Sequence, residues 1–155
     1  MNSPSSTIPA RPAWVEIDVA RWRRNLAIIR SKLPGPTGWI AVIKDDAYGH
    51  GALLAARLAT EAQAAMLAVS NLDEALQLRQ AGIRAPILLL GERRPEEFAC
   101  CLAEEITCCV GDLELLPALA DEARKAGRQV AVHLKINTGM NRYGIPWTAA
   151  AEAVS

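Results

Sequence analysis

The chain has 155 residues, 51% hydrophobic and 22% charged, the composition of a folded domain rather than a disordered segment. Its 17 Lys+Arg balance 17 Asp+Glu, so charge gives no reason to expect nucleic acid or an acidic membrane as partner. No apolar run approaches the roughly 18 residues of a membrane-spanning helix.

In chain order, residues 1–13 are rich in Ser and Pro and lack the apolar core of a secretory signal. They read as a flexible tail, and a cytoplasmic location is expected. Residues 14–18, Trp-Val-Glu-Ile-Asp, alternate apolar and polar side chains and read as a strand. Asp18 is placed to cap a helix over 19–33, with Trp22, Leu26, Ile29 and Leu33 as its apolar stripe. Pro34-Gly35-Pro36 ends it. A strand over 39–44 and a helix over 52–61 follow, then a short apolar run at 65–69. Ser70 or Asn71 caps a helix over 72–81, with Glu74 in its first turn where negative charge is favourable, and Gly82 closes it. A strand at 86–90, a helix at 95–103 opened by Pro95, and a strand at 106–110 come next. Asp112 caps a helix over 113–125, Gly127 ends it, and 130–136 is the last clear strand. Residues 147–155 read as a further helix.

Strand and helix alternate throughout, the rhythm of a parallel α/β sheet. Two architectures fit, an open doubly wound sheet and a (β/α)8 barrel. The dinucleotide-binding glycine fingerprint is missing, because Gly49-His50-Gly51 lacks the third glycine. The four cysteines form two adjacent pairs, Cys100-Cys101 and Cys108-Cys109, a spacing unlike zinc or thioredoxin sites. Cys108 and Cys109 are expected as small buried hydrophobes, and no metal site is expected.

The chemistry concentrates in Ile40-Ala41-Val42-Ile43-Lys44-Asp45-Asp46-Ala47-Tyr48-Gly49-His50-Gly51. A lysine at the C-terminal edge of an apolar strand stands where α/β folds build their sites. Desolvation there favours the neutral amine, which suits Schiff-base chemistry with a carbonyl cofactor. Gly49 and Gly51 permit close backbone approach near a helix start. The stretch resembles the cofactor-lysine motif of alanine racemases, A-V-x-K-A-D-A-Y-G-H-G. Asp45 departs from it by standing where that family usually has Ala, and its side chain is expected to face solvent. The W-x-E-I-D opening with Asn25 is similar to the same family, as are 69–83 and 86–91.

A second constellation, His133-Leu134-Lys135-Ile136-Asn137-Thr138-Gly139-Met140-Asn141-Arg142-Tyr143-Gly144, follows the last strand. Arg142 offers a planar fork for a carboxylate or phenolate oxygen. The segment resembles the racemase pattern H-x-K-x-[DN]-T-G-M-x-R-x-G.

The resemblance spans 14–144 and implies a barrel that binds pyridoxal 5'-phosphate. It makes Lys44 the Schiff-base lysine and the base for the D-alanine face. Tyr48 falls at the position that reaches the cofactor phosphate. Arg142 falls at the position that contacts the cofactor's phenolic oxygen and the substrate carboxylate. Lys135 falls at a lysine that is often carbamylated. His50 is expected as a structural hydrogen-bonder and Tyr143 as a packing residue. The implied activity is interconversion of L- and D-alanine, supplying D-alanine as a peptidoglycan precursor, in a homodimer whose partner contributes the second base. With about five βα units against the eight of a barrel, residues 14–155 read as an incomplete α/β barrel, without the rest of the barrel and a C-terminal β domain, and inactive alone. Another barrel enzyme of the same cofactor, such as a broad-specificity racemase, stays open, as does a cofactor carrier or a non-catalytic remnant.

Overall fold

In the computed structural model, residues 13–154 are described, so the tail read at 1–13 lies almost wholly outside them. The helix α1 spans Val19–Lys32, and the Asp18 carboxylate caps it by accepting the Arg21 N–H at 2.8 Å. Of its expected apolar stripe, Leu26 is buried, Trp22 and Leu33 are half-buried and Ile29 is exposed.

Five parallel strands follow, in the spatial order β1 to β5. They are β1 (Ile40–Val42), β2 (Met66–Val69), β3 (Ile87–Leu89), β4 (Ile106–Val110) and β5 (Val132–Leu134). The crossovers carry α2 (Ala52–Glu61), α3 (Leu72–Gln80), α4 (Pro95–Ala103) and α5 (Leu116–Lys125). Each strand pairs with the next in sequence, which is how a barrel wall grows.

The period of two sorts the strand side chains onto two faces. Leu67, Val69, Ile87, Leu89, Cys108 and Val110 pack on the helices with Leu78, Phe98 and Cys101. Ala68, Leu88 and Cys109 form a smaller cluster on the other face with Met66 and Leu90. Each large side chain buried on the helix side contributes roughly 1.5–3 kcal/mol. Arg79 pins the same layer: its guanidinium donates to the carbonyls of Ile83, Ala85, Glu104 and Glu105 at 2.8–3.1 Å. At 8% exposure it is a charge buried with its donors satisfied.

Four expected elements come out differently. Trp14–Asp18 has no strand ladder, because a strand exists only with a hydrogen-bonded neighbour and none lies beside it among the described residues. The strand expected over 130–136 divides, so that Ile136–Asn137 (β6) leaves the main sheet and pairs with Ile145–Pro146 (β7). Within 147–154, two short 3-10 turns, Trp147–Ala149 and Glu152–Val154, replace the expected helix. The helix expected at 113 begins as a 3-10 turn, Leu113–Leu115, which Asp112 caps through the Glu114 N–H.

Candidate functional site

In a parallel sheet with crossover helices, the loops leaving the strand C-termini share one rim, and that is where such folds assemble chemistry. Lys44 lies two residues past β1, and Lys135 and Arg142 lie past β5. They therefore share one rim, beyond the first and the last strands of the five-stranded sheet.

Lys44 is not in the strand, where the apolar pattern had placed it. The ladder stops at Val42, and the buried Ile43 turns the chain. Asp45, Asp46, Ala47 and Tyr48 then adopt φ of +52 to +56° and ψ of +37 to +50°. Four consecutive L-residues thus form a left-handed turn, at a cost of roughly 1–2 kcal/mol each. Burial and hydrogen bonds offset it. Ala47 is buried, its N–H donates to Ile43 O at 3.0 Å, and the Gly51 N–H donates to Asp46 O at 2.9 Å. The Asp46 carboxylate accepts the Ala52 N–H at 2.6 Å, which ties the turn to the start of α2. Gly49 and Gly51, at φ +84 and +93°, carry the chain out of the turn where a side chain would be strained.

The half-buried Lys44 amine is 3.5 Å from the Asp45 carboxylate. Asp45 is 62% exposed, so it does face solvent, yet it also pairs with the lysine. The Tyr48 ring is exposed on the rim. The His50 ring contacts Trp22 edge-on at 5.8 Å between centroids, and its Nδ1 lies 2.9 Å from Ala47 O.

The second segment is built differently. The Asn137 side-chain oxygen accepts the N–H groups of Gly139 and Asn141, and its amide donates to Asn141 Oδ1, all at 3.0–3.1 Å. This polar knot closes the loop that presents an exposed Arg142. Tyr143 is its plug. The ring sits against Gly111, where an added Cβ would meet Tyr143 Cδ2 at 2.6 Å, and the hydroxyl donates to Leu90 O. Burial, with Cys109 close by, pushes the phenol up to about 12, so it stays a donor at neutral pH. Lys135 Nζ lies 5.0 Å from the centroid of the same ring.

Sequence reasoning missed Glu74. Its carboxylate accepts the Asp45 N–H at 2.8 Å, the Ser70 N–H at 2.8 Å and the Ser70 hydroxyl at 2.9 Å. Burial pushes the carboxyl up, but these bonds and the Asn71 amide outweigh it and hold it below 4.5. The signal present was Ser70-Asn71-x-x-Glu74, which resembles an ordinary capping box. Asn71 does cap α3, accepting the Glu74 N–H at 2.9 Å, but the glutamate reaches past it to the Lys44 turn. Among the described residues no cluster of three or more His, Cys, Asp or Glu side chains could hold a metal ion.

Comparison with known proteins agrees with this geometry. The profile of the alanine racemase N-terminal domain matches residues 17–155. The chain is 44% identical over 134 residues to the alanine racemase of Desulforamulus reducens, covering 86% of this chain and 36% of that protein. The solved alanine racemase of E. faecalis superposes with a TM-score of 0.82 at 32% identity, covering 89% of this chain and 38% of that one. A histidine racemase from Leuconostoc mesenteroides superposes at 0.76 with 30% identity, over 88% and 37%. The chain thus spans little more than a third of the length of these relatives. Its strand order, the lysine turn after β1 and the arginine loop after β5 accompany this match, and the chain belongs to the alanine racemase N-terminal domain family.

Proposed function

We propose that this chain is the cofactor-binding part of a pyridoxal 5'-phosphate-dependent racemase that interconverts L- and D-alanine. The observation that carries the reading is the common rim: Lys44 after β1 and Arg142 beyond β5 leave the same end of one parallel sheet. The donor set fits the cofactor. An amine half-screened from water, an exposed phenol and an exposed guanidinium match an aldehyde, a phosphate and a phenolic oxygen. When bound, the cofactor supplies an electron sink for charge developing at the substrate Cα.

In this reading Lys44 holds the cofactor and its freed amine takes or returns the Cα proton on the D-alanine face. Tyr48 donates to the phosphate. Arg142 orients the substrate carboxylate and faces the phenolic oxygen. The base for the other face comes, in this reading, from the partner of a homodimer. The reading carries with it a small-molecule substrate and a cytoplasmic site of action in D-alanine supply for the cell wall. No helix among the described residues is long and apolar enough to cross a membrane.

Lys135 is the candidate for carbamylation. An ammonium is attracted by an aromatic face, whereas a carbamate is repelled, so modification requires the side chain to leave the Tyr143 ring. Intact mass of the gently prepared cofactor-loaded protein reads out the added CO₂, and a bare amine there ends that assignment.

Borohydride reduction in the presence of pyridoxal phosphate tests the main reading. The reduced adduct is expected on Lys44 and is lost in Lys44→Ala. An adduct that survives this substitution unchanged overturns the assignment. With the likeness to a histidine racemase, a panel of amino acids offered to the full-length protein identifies the side chain that it accepts.

A further inference from the structure

The left-handed turn after Lys44 has a cause outside itself. Its internal bonds run from Ile43 O to Ala52 N and fasten its middle and its exit. The residue next to the lysine is fastened by Glu74, whose Oε1 accepts the Asp45 N–H at 2.8 Å. The other carboxylate oxygen accepts both the N–H and the hydroxyl of Ser70, the first residue after β2. One side chain on α3 therefore ties the loop of β1 to the loop of β2 at the rim. A glutamate at this place in a helix ordinarily turns back to the N–H of its own capping residue. Here the carboxylate bridges two strand ends, and Asn71 supplies the helix cap separately.

We propose that Glu74 is the positioning residue for Lys44, setting the backbone from which its amine projects at the rim. The consequence for cofactor attachment rests on the reading of Lys44 given above, while the clamp itself does not. A neutral amide in place of the carboxylate cannot serve three donors, because its NH₂ group must face one of them.

The test compares the full-length protein with its Glu74→Gln and Glu74→Ala variants and the control Asn71→Ala. The control removes the α3 cap and leaves the clamp. Amide hydrogen exchange resolved by peptide reads the turn without any cofactor. Borohydride trapping with pyridoxal phosphate reads the amine, and thermal unfolding reads the fold. In both Glu74 variants, exchange over 44–49 should accelerate and the initial rate of trapping at Lys44 should fall, each by about tenfold or more, the scale of a lost hydrogen bond to a charged group. Asn71→Ala should lower the unfolding temperature and leave both local readings at wild-type values. Should Glu74→Ala fail to fold, Glu74→Gln carries the comparison.

Unchanged exchange over 44–49 overturns the clamp. Faster exchange with unchanged trapping overturns its role in positioning the amine. Equal losses in Asn71→Ala overturn it too, since helix capping would then explain them. If even the wild-type protein gives no adduct at Lys44, the cofactor reading fails, and acetylation of the Lys44 amine by acetic anhydride replaces trapping as the reading of its position.

Discussion

Two segments of the rim reach comparable positions by different means. The Lys44 turn is held from outside: Ile43 donates to Ala68 O on β2, and Glu74 on α3 accepts from Asp45. The Arg142 loop combines an internal knot, in which Asn137 bonds Gly139 and Asn141, with an outside anchor, the Tyr143 ring against Gly111 and its hydroxyl on Leu90 O. Both positions thus depend on neighbouring βα units, and the arginine loop adds a local knot of its own. A residue that must project its amine from a strained backbone needs the tertiary structure to over-determine that backbone.

Arg79→Ala should break the first side hardest. Four carbonyls lose their donor together, so the protein should lose about 3 kcal/mol or more, read by urea unfolding. Arg79 lies on the same helix as Glu74, so exchange over 44–49 should rise more than over 137–142. Equal rises would show that the two segments are not separately held.

Gly111→Ala attacks the other side. Its Cβ would meet the Tyr143 ring at 2.6 Å, and the ring is anchored by its hydroxyl, so overpacking of about 1–3 kcal/mol is expected. Exchange over 137–145 should accelerate while trapping at Lys44 holds. A fall in trapping as large as that in Glu74→Ala would mean that the two ends communicate through the sheet.

Acid should loosen the Lys44 side first. Glu74 has a lowered folded-state pKa, so its contribution is present above the unfolded value of 4.5 and is lost as pH falls through the lower folded value. Stability curves of the wild type and Glu74→Gln should therefore converge between about pH 5 and the acid limit, with the wild type ahead above that range. The smallest effect is expected from Asp45→Ala. Its ion pair with Lys44 is exposed and worth under about 1 kcal/mol, which denaturant midpoints can resolve.

Much of this architecture was readable beforehand. Helix bounds at Ala52–Glu61 and Pro95–Ala103 and the strand Ile106–Val110 match the expected limits, because Gly51, Pro95 and the apolar run at 106–110 are local signals. Asp18 and Asp112 cap as their positions implied, and of Ser70 and Asn71 it is Asn71 that caps. The strand at Trp14–Asp18 was misread because alternation describes a face and says nothing of a partner. Lys44 and Arg142 stood out through the resemblance of their segments to the racemase motifs; the bridge made by Glu74 did not, since its partners lie 29 residues away at Asp45 as well as four residues away at Ser70.

By itself the sequence determined the alternation of five strands and their helices, the two polar segments that follow the first and last of those strands, and the caps between them. Such features depend on local patterns of apolar periodicity, proline, glycine and short polar side chains. The tertiary structure alone decided the left-handed conformation of Asp45-Asp46-Ala47-Tyr48, the bridge made by Glu74, and the division of the last strand into β5 and β6. No propensity of Asp, Ala or Tyr selects four left-handed residues in a row. Burial of Ala47, the turn's own hydrogen bonds and the bond from Asp45 to the distant Glu74 together outweigh their local cost.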